Sequence, residues 1–254
     1  MKKILIITSD DRQKHIATYL KQHHLIIYEN TEYVKDYFDA LILPMSPLLN
    51  KELLQHNSYK MILGGRLSKD DLEIAKKNKI ELVDYFDNEY VKYENAFLTA
   101  EAAIAIAINN SVISLKNSKC LITGFGRIGK ILAKLLNAFN CDITITARKD
   151  SDLGLINTLG YKSIYTEELS DISKFNYIFN TIPYPILDKR LLETVQKKAL
   201  IIDLASKPGG TDFSYVKSKG LNCIHALSLP SKFSPESDAE ILSKSILKIL
   251  SERS

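Results

Sequence analysis

The first third of the chain alternates short apolar runs with segments in which apolar residues recur every three or four positions. The short runs predict β-strands, and the periodic segments predict amphipathic α-helices. Strands that alternate with helices in this way form parallel sheets. We therefore expect a small α/β domain with strands at 3–8, 25–28, 40–43, 61–63 and 81–83 and helices at 12–21 and 69–77.

The same alternation resumes after residue 118, where glycine is more frequent. Eight of the ten glycines lie in the stretch from Gly124 to Gly220. Six strands with intervening helices match the strand count of a full doubly wound, Rossmann-type sheet. The predicted strands are 120–123, 141–146, 161–165, 176–180, 200–204 and 222–226, and one of the predicted helices is 187–197.

An alanine-rich stretch at 93–109 without glycine or proline predicts a long helix between these two regions. Asn95 and Thr99 share one face of it, because they are four residues apart, and Glu101 lies away from them. The predicted fold is α/β, with a doubly wound parallel (Rossmann) sheet and a smaller flavodoxin-like domain. The expected parts are a substrate or partner domain at 1–93, a linking helix at 94–112, a nucleotide-binding domain at 113–235 and a C-terminal helix at 236–254 that packs back on the body.

Composition narrows the classes of function. Lys and Arg number 34 against 30 Asp and Glu, a net charge of +4 without a dense basic block, so nucleic-acid binding is not indicated. Cys120, Cys141 and Cys223 fall in or beside predicted strands and are expected to be buried thiols of a reducing compartment. The N-terminal apolar run is too short for a signal peptide, and no run is long enough to span a membrane. We expect a cytoplasmic protein, and the histidine spacing predicts no metal site.

Gly124, Gly126 and Gly129 form a Gly-x-Gly-x-x-Gly motif between an apolar strand and an amphipathic helix. In dinucleotide-binding units the first glycine makes a tight turn, the second admits the pyrophosphate and the third lets the helix pack on the strand. The helix start at Arg127 and Ile128 offers N–H groups to phosphates. The alternative is that these glycines serve packing alone.

The second strand of this region runs into Ala147, Arg148 and Lys149, with no carboxylate at its end. A carboxylate here would bind the ribose of NAD, whereas an arginine accommodates the 2′-phosphate of NADP. The residues therefore favour NADP(H) over NAD(H), and NAD remains the second choice. A solvated pair of cations without a ligand is the alternative.

Two loops follow the fourth and fifth strands, where the nicotinamide half of a dinucleotide is expected. The second loop also carries the cation Lys207, and His225 ends the sixth strand as a candidate acid or base or as a partly buried histidine with one hydrogen bond. Ordinary turns are the alternative for both loops. The predicted cofactor contacts in them are Asn180, Thr181, Ile182, Pro183, Asp203, Leu204 and Ala205.

In the N-terminal domain, the loops at 9–13 and 44–47 lie at carboxyl ends of predicted strands, where open α/β sheets bind ligands. Arg12 is suited to bind a substrate carboxylate. Alternatively, Ser9 or Asp10 caps the next helix and Arg12 is solvated. The pattern alone favours the second interpretation.

Together these motifs resemble the family of the A subunit of dipicolinate synthase. A more distant similarity links the chain to 2-hydroxyacid dehydrogenases and to the NAD domain of adenosylhomocysteine hydrolase, which share the two-domain plan with a linking helix. The matching motifs are Asp10-x-Arg12-Gln13, Ile42-Leu43-Pro44-x-Ser46, Asn95-x-x-x-Thr99-x-Glu101, Gly124-Phe125-Gly126-Arg127-x-Gly129, Ala147-Arg148, Asn180-Thr181-Ile182-Pro183 and the run from Asp203 to Phe213.

The resemblance implies an oxidoreductase of bacterial sporulation that oxidises dihydrodipicolinate to dipicolinate with NADP. It implies a flavoprotein-like second subunit (the B subunit of dipicolinate synthase) as partner, and we also expect a homo-oligomer. The substrate is then a small cyclic dicarboxylate in the cleft between the domains, with Arg12 and Lys207 on its carboxylates. Asp212, Glu101 and His225 are the candidate bases.

The chain departs from the family pattern at several positions. Leu98 and Ala102 replace a proline and a glycine on the linking helix, and Ser231 and Ala239 stand where the family has glycine. A side chain in place of glycine can block the close approach of a ligand. Two further hypotheses therefore stay open: a diverged NADP(H)-binding relative without catalysis, and a 2-hydroxyacid-type dehydrogenase.

Overall fold

The computed structural model describes residues 1–23, 25–29, 37–47 and 58–253. The chain divides into two compact units, the first formed by residues 1–95 and 231–254 and the second by residues 96–230. Each unit contains one fully parallel sheet with helices between its strands, so the predicted α/β class is confirmed.

The sheet of the first unit has five parallel strands in the order β2-β1-β3-β4-β5, which is the flavodoxin-like order. The switch in strand order lies between β1 and β3, so ligands are expected at the carboxyl ends of these strands. The elements in chain order are β1 (Lys3–Ile6), α1 (Asp11–Lys21), β2 (Ile26–Glu29), β3 (Tyr37–Met45), β4 (Ser58–Gly65), α2 (Lys69–Lys77), β5 (Leu82–Asp84) and α3 (Glu89–Asn109).

The sheet of the second unit has six parallel strands in the order β11-β10-β9-β6-β7-β8, which is the order of a full Rossmann sheet. A short 3₁₀ turn at Thr166–Glu168 follows β8. The remaining elements are β6 (Lys119–Thr123), α4 (Arg127–Asn137), β7 (Asp142–Ala147), α5 (Asp150–Thr158), β8 (Lys162–Tyr165), β9 (Tyr177–Asn180), α6 (Lys189–Leu192), β10 (Leu200–Asp203), α7 (Phe213–Lys219), β11 (Asn222–His225), α8 (Leu229–Phe233) and α9 (Pro235–Glu252).

Small residues let α3 pack tightly in the second unit. Ala100, Ala103 and Ala107 are fully buried in the same core as β6 and β7. The C-terminal helix α9 belongs to the first unit, where Leu242 and Ile246 are fully buried in the core that also holds α1. The last helix of the chain therefore helps to build the domain in which the chain begins.

Two helices differ from the sequence-based expectation. The helix predicted at 187–197 is only one turn long, α6, and after it the backbone N–H groups of Thr194 and Val195 donate to carbonyls three residues back, as in tight turns, instead of four. The linking helix α3 begins at Glu89, four residues earlier than predicted. The Asn88 side chain accepts from the backbone N–H of Tyr90 at that start. Apolar periodicity carries no information about such local polar contacts.

Candidate functional site

The turn between β6 and α4 has the geometry of the glycine motif. Gly124 adopts φ +94°, and a methyl group there would crowd Thr181 and Ile182. A methyl group at Gly129 would collide with the Gly124 carbonyl oxygen, so this glycine lets α4 approach the strand. Gly126 differs, because no atom lies within 4 Å of the place where its Cβ would be. That open space fits the approach of a pyrophosphate.

The start of α4 has no side-chain cap. Gly126 is the N-cap residue and supplies no side-chain acceptor, and the helix begins at Arg127, followed by Ile128. The N–H groups of a first helical turn lack partners within the helix, and the helix dipole adds partial positive charge there. This helix end is therefore suited to bind phosphate oxygens.

At the end of β7, Ala147 is buried and the next two residues, Arg148 and Lys149, are exposed. Within the described part of the chain, neither cationic side chain makes a hydrogen bond or an ion pair. The nearby carboxylate of Asp150 accepts from the Tyr165 hydroxyl at 2.8 Å. Two cations are thus available for an anion at this strand end.

A buried polar network joins the ends of three neighbouring strands. Asn180 on β9 lies level with Thr123 on β6 and Asp203 on β10, and all three residues are fully buried. The Asn180 amide oxygen accepts from the Thr123 hydroxyl at 2.6 Å, and its nitrogen donates to Asp203 Oδ1 at 2.9 Å. The side chains of Asn180 and Asp203 therefore bind protein groups, and the predicted contact of these residues with a cofactor stays a prediction.

The Asp203 carboxylate organises the loop that follows β10. Besides Asn180 it accepts from the backbone N–H groups of Ala205 and Gly210 at 3.0 and 2.9 Å and from the Thr211 hydroxyl at 2.7 Å. Hydrogen bonds to an ionised acceptor are the stronger kind. Four such donors hold the loop in one conformation, with Leu204 and Ala205 buried.

The loop after β9 is anchored to β6. Both the backbone N–H and the hydroxyl of Thr181 donate to the Thr123 carbonyl, at 3.1 and 2.8 Å. The N–H of Ile182 donates to the Asn180 amide oxygen at 3.1 Å, and Pro183 is exposed. The predicted cofactor residues of the second unit therefore occupy adjoining turns at the carboxyl edge of one sheet.

The predicted catalytic residues of the second unit have different surroundings. Lys207 and Glu101 are exposed, and their side chains contact no described partner. Asp212 is exposed and caps α7 by accepting from the N–H of Tyr215 at 2.9 Å. The His225 ring stacks on Phe213 with centroids 4.6 Å apart, and its Nε2 lies 3.3 Å from the Ala205 carbonyl oxygen. This bond requires the proton on Nε2 and leaves Nδ1 as the basic nitrogen.

Arg12 lies in the first unit and is buried, so the expectation of a solvated Arg12 is wrong. Its Nη1 is 3.0 Å from Asp238 Oδ2, and its Nη2 is 3.2 Å from Asp10 Oδ2. Asp10 also caps α1 by accepting from the N–H of Gln13 at 2.9 Å, as the sequence predicted. The physical reason for the burial is Asp238, which α9 places, fully buried, against the guanidinium group.

Two residues of this cluster, Asp238 and Arg66, were missed by the sequence analysis. Asn95 on α3 connects them, since it donates to Asp238 Oδ1 at 3.2 Å and accepts from Nη2 of Arg66 at 3.2 Å. A signal for Asp238 existed, because it lies one turn before Leu242 on the buried face of α9. Arg66 directly follows the two glycines that end β4. Its own positive charge was the only feature of the sequence that indicated a role in binding.

Among the described residues, neither the cysteine thiols nor a group of metal-ligand side chains forms a further binding site. Cys120 and Cys141 are buried, and Cys223 is half-buried. Burial raises the pKa of the Cys223 thiol to about 12. Among the described residues, which exclude His24 and His56, no three His, Cys, Asp or Glu side chains are grouped to hold a metal ion. No helix in the described ranges is both long and apolar enough to cross a membrane.

Comparison with known proteins shows what this chain is similar to. The NAD-binding domain family of D-isomer specific 2-hydroxyacid dehydrogenases matches residues 99–206. The chain is 29% identical over 232 residues to the A subunit of dipicolinate synthase from Bacillus subtilis, covering 84% of this chain and 78% of that protein.

Two solved structures extend this similarity. The crystal structure of the dipicolinate synthase A chain from Bacillus subtilis superposes with a TM-score of 0.87 at 27% identity, covering 99% of this chain and 96% of that one. The corresponding protein from Bacillus halodurans gives a TM-score of 0.85 at 23% identity, with 98% and 97% coverage. The chain thus has the fold and the nucleotide-binding domain of nicotinamide-dependent dehydrogenases, and its predicted resemblance to the A subunit of dipicolinate synthase is confirmed.

Proposed function

We propose that the protein is an NADP-dependent oxidoreductase that converts dihydrodipicolinate to dipicolinate. The observation that carries this proposal is the similarity to the A subunit of dipicolinate synthase, which extends over 84% of the chain rather than over the nucleotide domain alone. We further propose a cytoplasmic role in sporulation together with a flavoprotein-like second subunit, and assembly as a homo-oligomer.

The residues at the carboxyl edge of the second sheet fit a bound dinucleotide. Gly126 and the uncapped first turn of α4 would hold the pyrophosphate, and Arg148 with Lys149 would hold the 2′-phosphate of NADP. The absence of described partners for these two cations supports NADP over NAD. When bound, the oxidised nicotinamide supplies a hydride acceptor.

Aromatising a dihydropyridine removes one hydride and one proton from the ring. The proton must pass to a base of the protein, and the candidates are Asp212, Glu101 and His225. His225 has Nδ1 as its basic nitrogen, whereas the Asp212 carboxylate is already engaged at a helix start. Lys207, a cation without a described partner, would bind one substrate carboxylate by a charge-assisted hydrogen bond.

A thermal shift with NADPH and with NADH at matched concentrations tests the cofactor assignment. A ligand at about one hundred times its Kd adds roughly 2.7 kcal/mol of apparent stability. We expect a clear shift with NADPH, a smaller one with NADH, and loss of the difference in Arg148→Ala. Arg190→Ala, which also removes an exposed arginine of the second unit, is the matched control. Equal shifts with both cofactors in the wild type would contradict the 2′-phosphate assignment.

Turnover tests the reaction. Purified protein with the candidate second subunit, dihydrodipicolinate and NADP should form NADPH and dipicolinate in equal amounts. NADPH binding without turnover would instead support the non-catalytic relative. The family match at residues 99–206 keeps a 2-hydroxyacid dehydrogenase as the second candidate, which turnover with a small 2-hydroxy acid and not with dihydrodipicolinate would support.

A further inference from the structure

Arg66 is a cation at the carboxyl edge of the first sheet, and the groups that its guanidinium contacts among the described residues are uncharged. Its guanidinium group donates to the Asn95 amide oxygen at 3.2 Å and lies 4.6 Å from the centre of the Phe86 ring. Both partners are uncharged. Within the described part of the chain, no carboxylate is in ion-pair distance of this group, and its other N–H groups have no acceptor. Arg66 is also exposed, so a ligand can reach it.

Arg12 lies in the same cluster but differs from Arg66 in its charge balance. Asp238 and Asp10 both pair with Arg12, one at each of its two terminal nitrogens. Packing around the Arg66 guanidinium lowers the pKa of Arg66 and the positive charge of Arg12 lowers it further, and the carboxylates of Asp238 and Asp84 offset this only in part. A bound anion would relieve this repulsion, and a carboxylate matches the fork of a guanidinium group.

The backbone at Arg66 has an unusual conformation. Arg66 adopts φ +53°, in the left-handed region that residues with a side chain seldom occupy. The Asp84 carboxylate holds it there by accepting from the N–H groups of Arg66 and Leu67 at 3.1 and 3.0 Å. Glycine would adopt this turn without strain, and strained residues cluster at ligand sites. The turn presents the side chain at the strand end.

A chain of contacts connects the two arginines. Arg12 donates to Asp238 at 3.0 Å, Asn95 donates to Asp238 at 3.2 Å, and Arg66 donates to Asn95 at 3.2 Å. Asp238 and Asn95 are buried, so their positions are set by packing. This chain of contacts orients the side chain of Arg66, which is exposed, and it ends at Arg12, which is buried.

We propose that Arg66 binds a carboxylate of the substrate and that Arg12 is a positioning residue that fixes Asp238 and Asn95. The identity of the anion, a cyclic dicarboxylate, rests on the proposed function. The assignment differs from the sequence-based expectation, in which Arg12 itself binds the carboxylate.

The test uses the full chain, with dipicolinate as the binding probe and KM for dihydrodipicolinate as the kinetic readout. Arg66→Asn removes the charge while keeping a residue that tolerates the left-handed region. We expect the affinity for dipicolinate to fall by about tenfold or more, since a hydrogen bond to a charged group has at least that effect. KM should rise more than kcat falls, and the Kd for NADPH should not change.

Lys79→Asn is the matched control, because Lys79 is an exposed cation of the same unit with φ +55°, just after the end of α2. Its affinity for dipicolinate should equal that of the wild type. Arg66→Lys keeps the positive charge but loses the pair of N–H groups that can bind both oxygens of a carboxylate. It should therefore bind dipicolinate more weakly than Arg12→Lys, which retains a cation for Asp238.

Wild-type affinity in Arg66→Asn would overturn the assignment, as would an equal loss in Lys79→Asn. A greater loss in Arg12→Lys than in Arg66→Lys would reverse the two roles and overturn it as well. If the wild type binds NADPH but not dipicolinate, the inference and the proposed substrate both fail, while the cofactor assignment stands.

Discussion

The carboxyl edges of the two sheets are built by different means. In the second unit, glycines and backbone groups form the edge, and the one carboxylate at its centre, Asp203, is satisfied by four neutral donors. In the first unit, four charged side chains and one amide form the edge, in the order Asp10, Arg12, Asp238, Asn95 and Arg66. One edge has open space at Gly126 beside a helix start without a side-chain cap, and the other holds opposite charges in a fixed order.

This difference determines how much of each edge can be predicted from the sequence alone. A glycine turn is local in sequence, because its parts lie within six positions. The charged cluster joins residues up to 226 positions apart, as the bond from Arg12 to Asp238 shows. The charge balance of the first edge therefore depends on contacts between distant parts of the chain, whereas three of the four donors to Asp203 lie within eight positions of it.

The largest effect is expected from Asp238→Ala, which breaks the charged edge. Without Asp238, the buried Arg12 keeps only the partly exposed Asp10 as an ion-pair partner, so the free energy of unfolding should fall by about 3 kcal/mol, the lower end of the range for breaking a buried ion pair. Denaturant unfolding followed by circular dichroism measures the loss. Asp238→Asn should lose less, because it keeps the shape and an acceptor. Glu240→Ala, which removes an exposed acid of the same helix that pairs with Lys244, should change little. A wild-type midpoint in Asp238→Ala would contradict the charge balance assigned to this edge.

Thr211→Val tests the neutral edge. The hydroxyl of Thr211 is one of the four donors to Asp203, and a hydrogen bond to a charged group is worth about 1.5–3 kcal/mol. We expect that loss in denaturant unfolding together with weaker NADPH binding, since the loop after β10 is released. The control is Thr158→Val, whose exposed hydroxyl donates to the Gly154 carbonyl within α5. Equal effects of the two substitutions would show that Asp203 does not organise the loop.

Gly129→Ala and Gly126→Ala separate packing from binding within one motif. The methyl group at Gly129 collides with the Gly124 carbonyl oxygen, so overpacking should cost about 1–3 kcal/mol. At Gly126 no atom is near, and the stability loss should be about 0.5 kcal/mol, as expected for alanine at an N-cap. NADPH affinity should nevertheless fall in Gly126→Ala. Melting curves with and without NADPH measure both quantities, and an unchanged NADPH shift in Gly126→Ala would remove this glycine from the site.

The smallest effect concerns the thiol of Cys223 beside the neutral edge. Its pKa is raised to about 12, against about 8.5 for a free cysteine. Between these values the folded state keeps a proton that the unfolded state releases, so the free energy of unfolding falls as pH rises above about 8.5. Cys223→Ala should show a shallower decline between about pH 8 and pH 10 than the wild type. Identical slopes would contradict the raised pKa.

The sequence predicted the nucleotide-binding unit well, because its determinants are local. Strand count and the turn at Gly124 followed from periodicity and from one motif, and the Rossmann strand order agrees, whereas the helix predicted at 187–197 is only one turn long. The sequence could not predict that Asn180 and Asp203 bind each other, because their strands are neighbours only in the folded sheet. The predicted contact of these two residues with a cofactor stays a prediction, and the structure shows that their side chains bind each other and neighbouring protein groups.

In the first unit, the sequence predicted local structure but not the contacts between distant residues. Its strands and the cap at Asp10 were predicted, but the partner of Arg12 lies on the last helix of the chain. Helix and strand propensity, capping and periodicity are short-range features of a sequence. Here they predicted the α/β class, the glycine turn and the position of two cations after β7. Which charges meet at long range depends on how α9 packs on α1. Only the tertiary structure decided that Arg12 pairs with Asp238 and that no carboxylate of the described residues lies within ion-pair distance of Arg66.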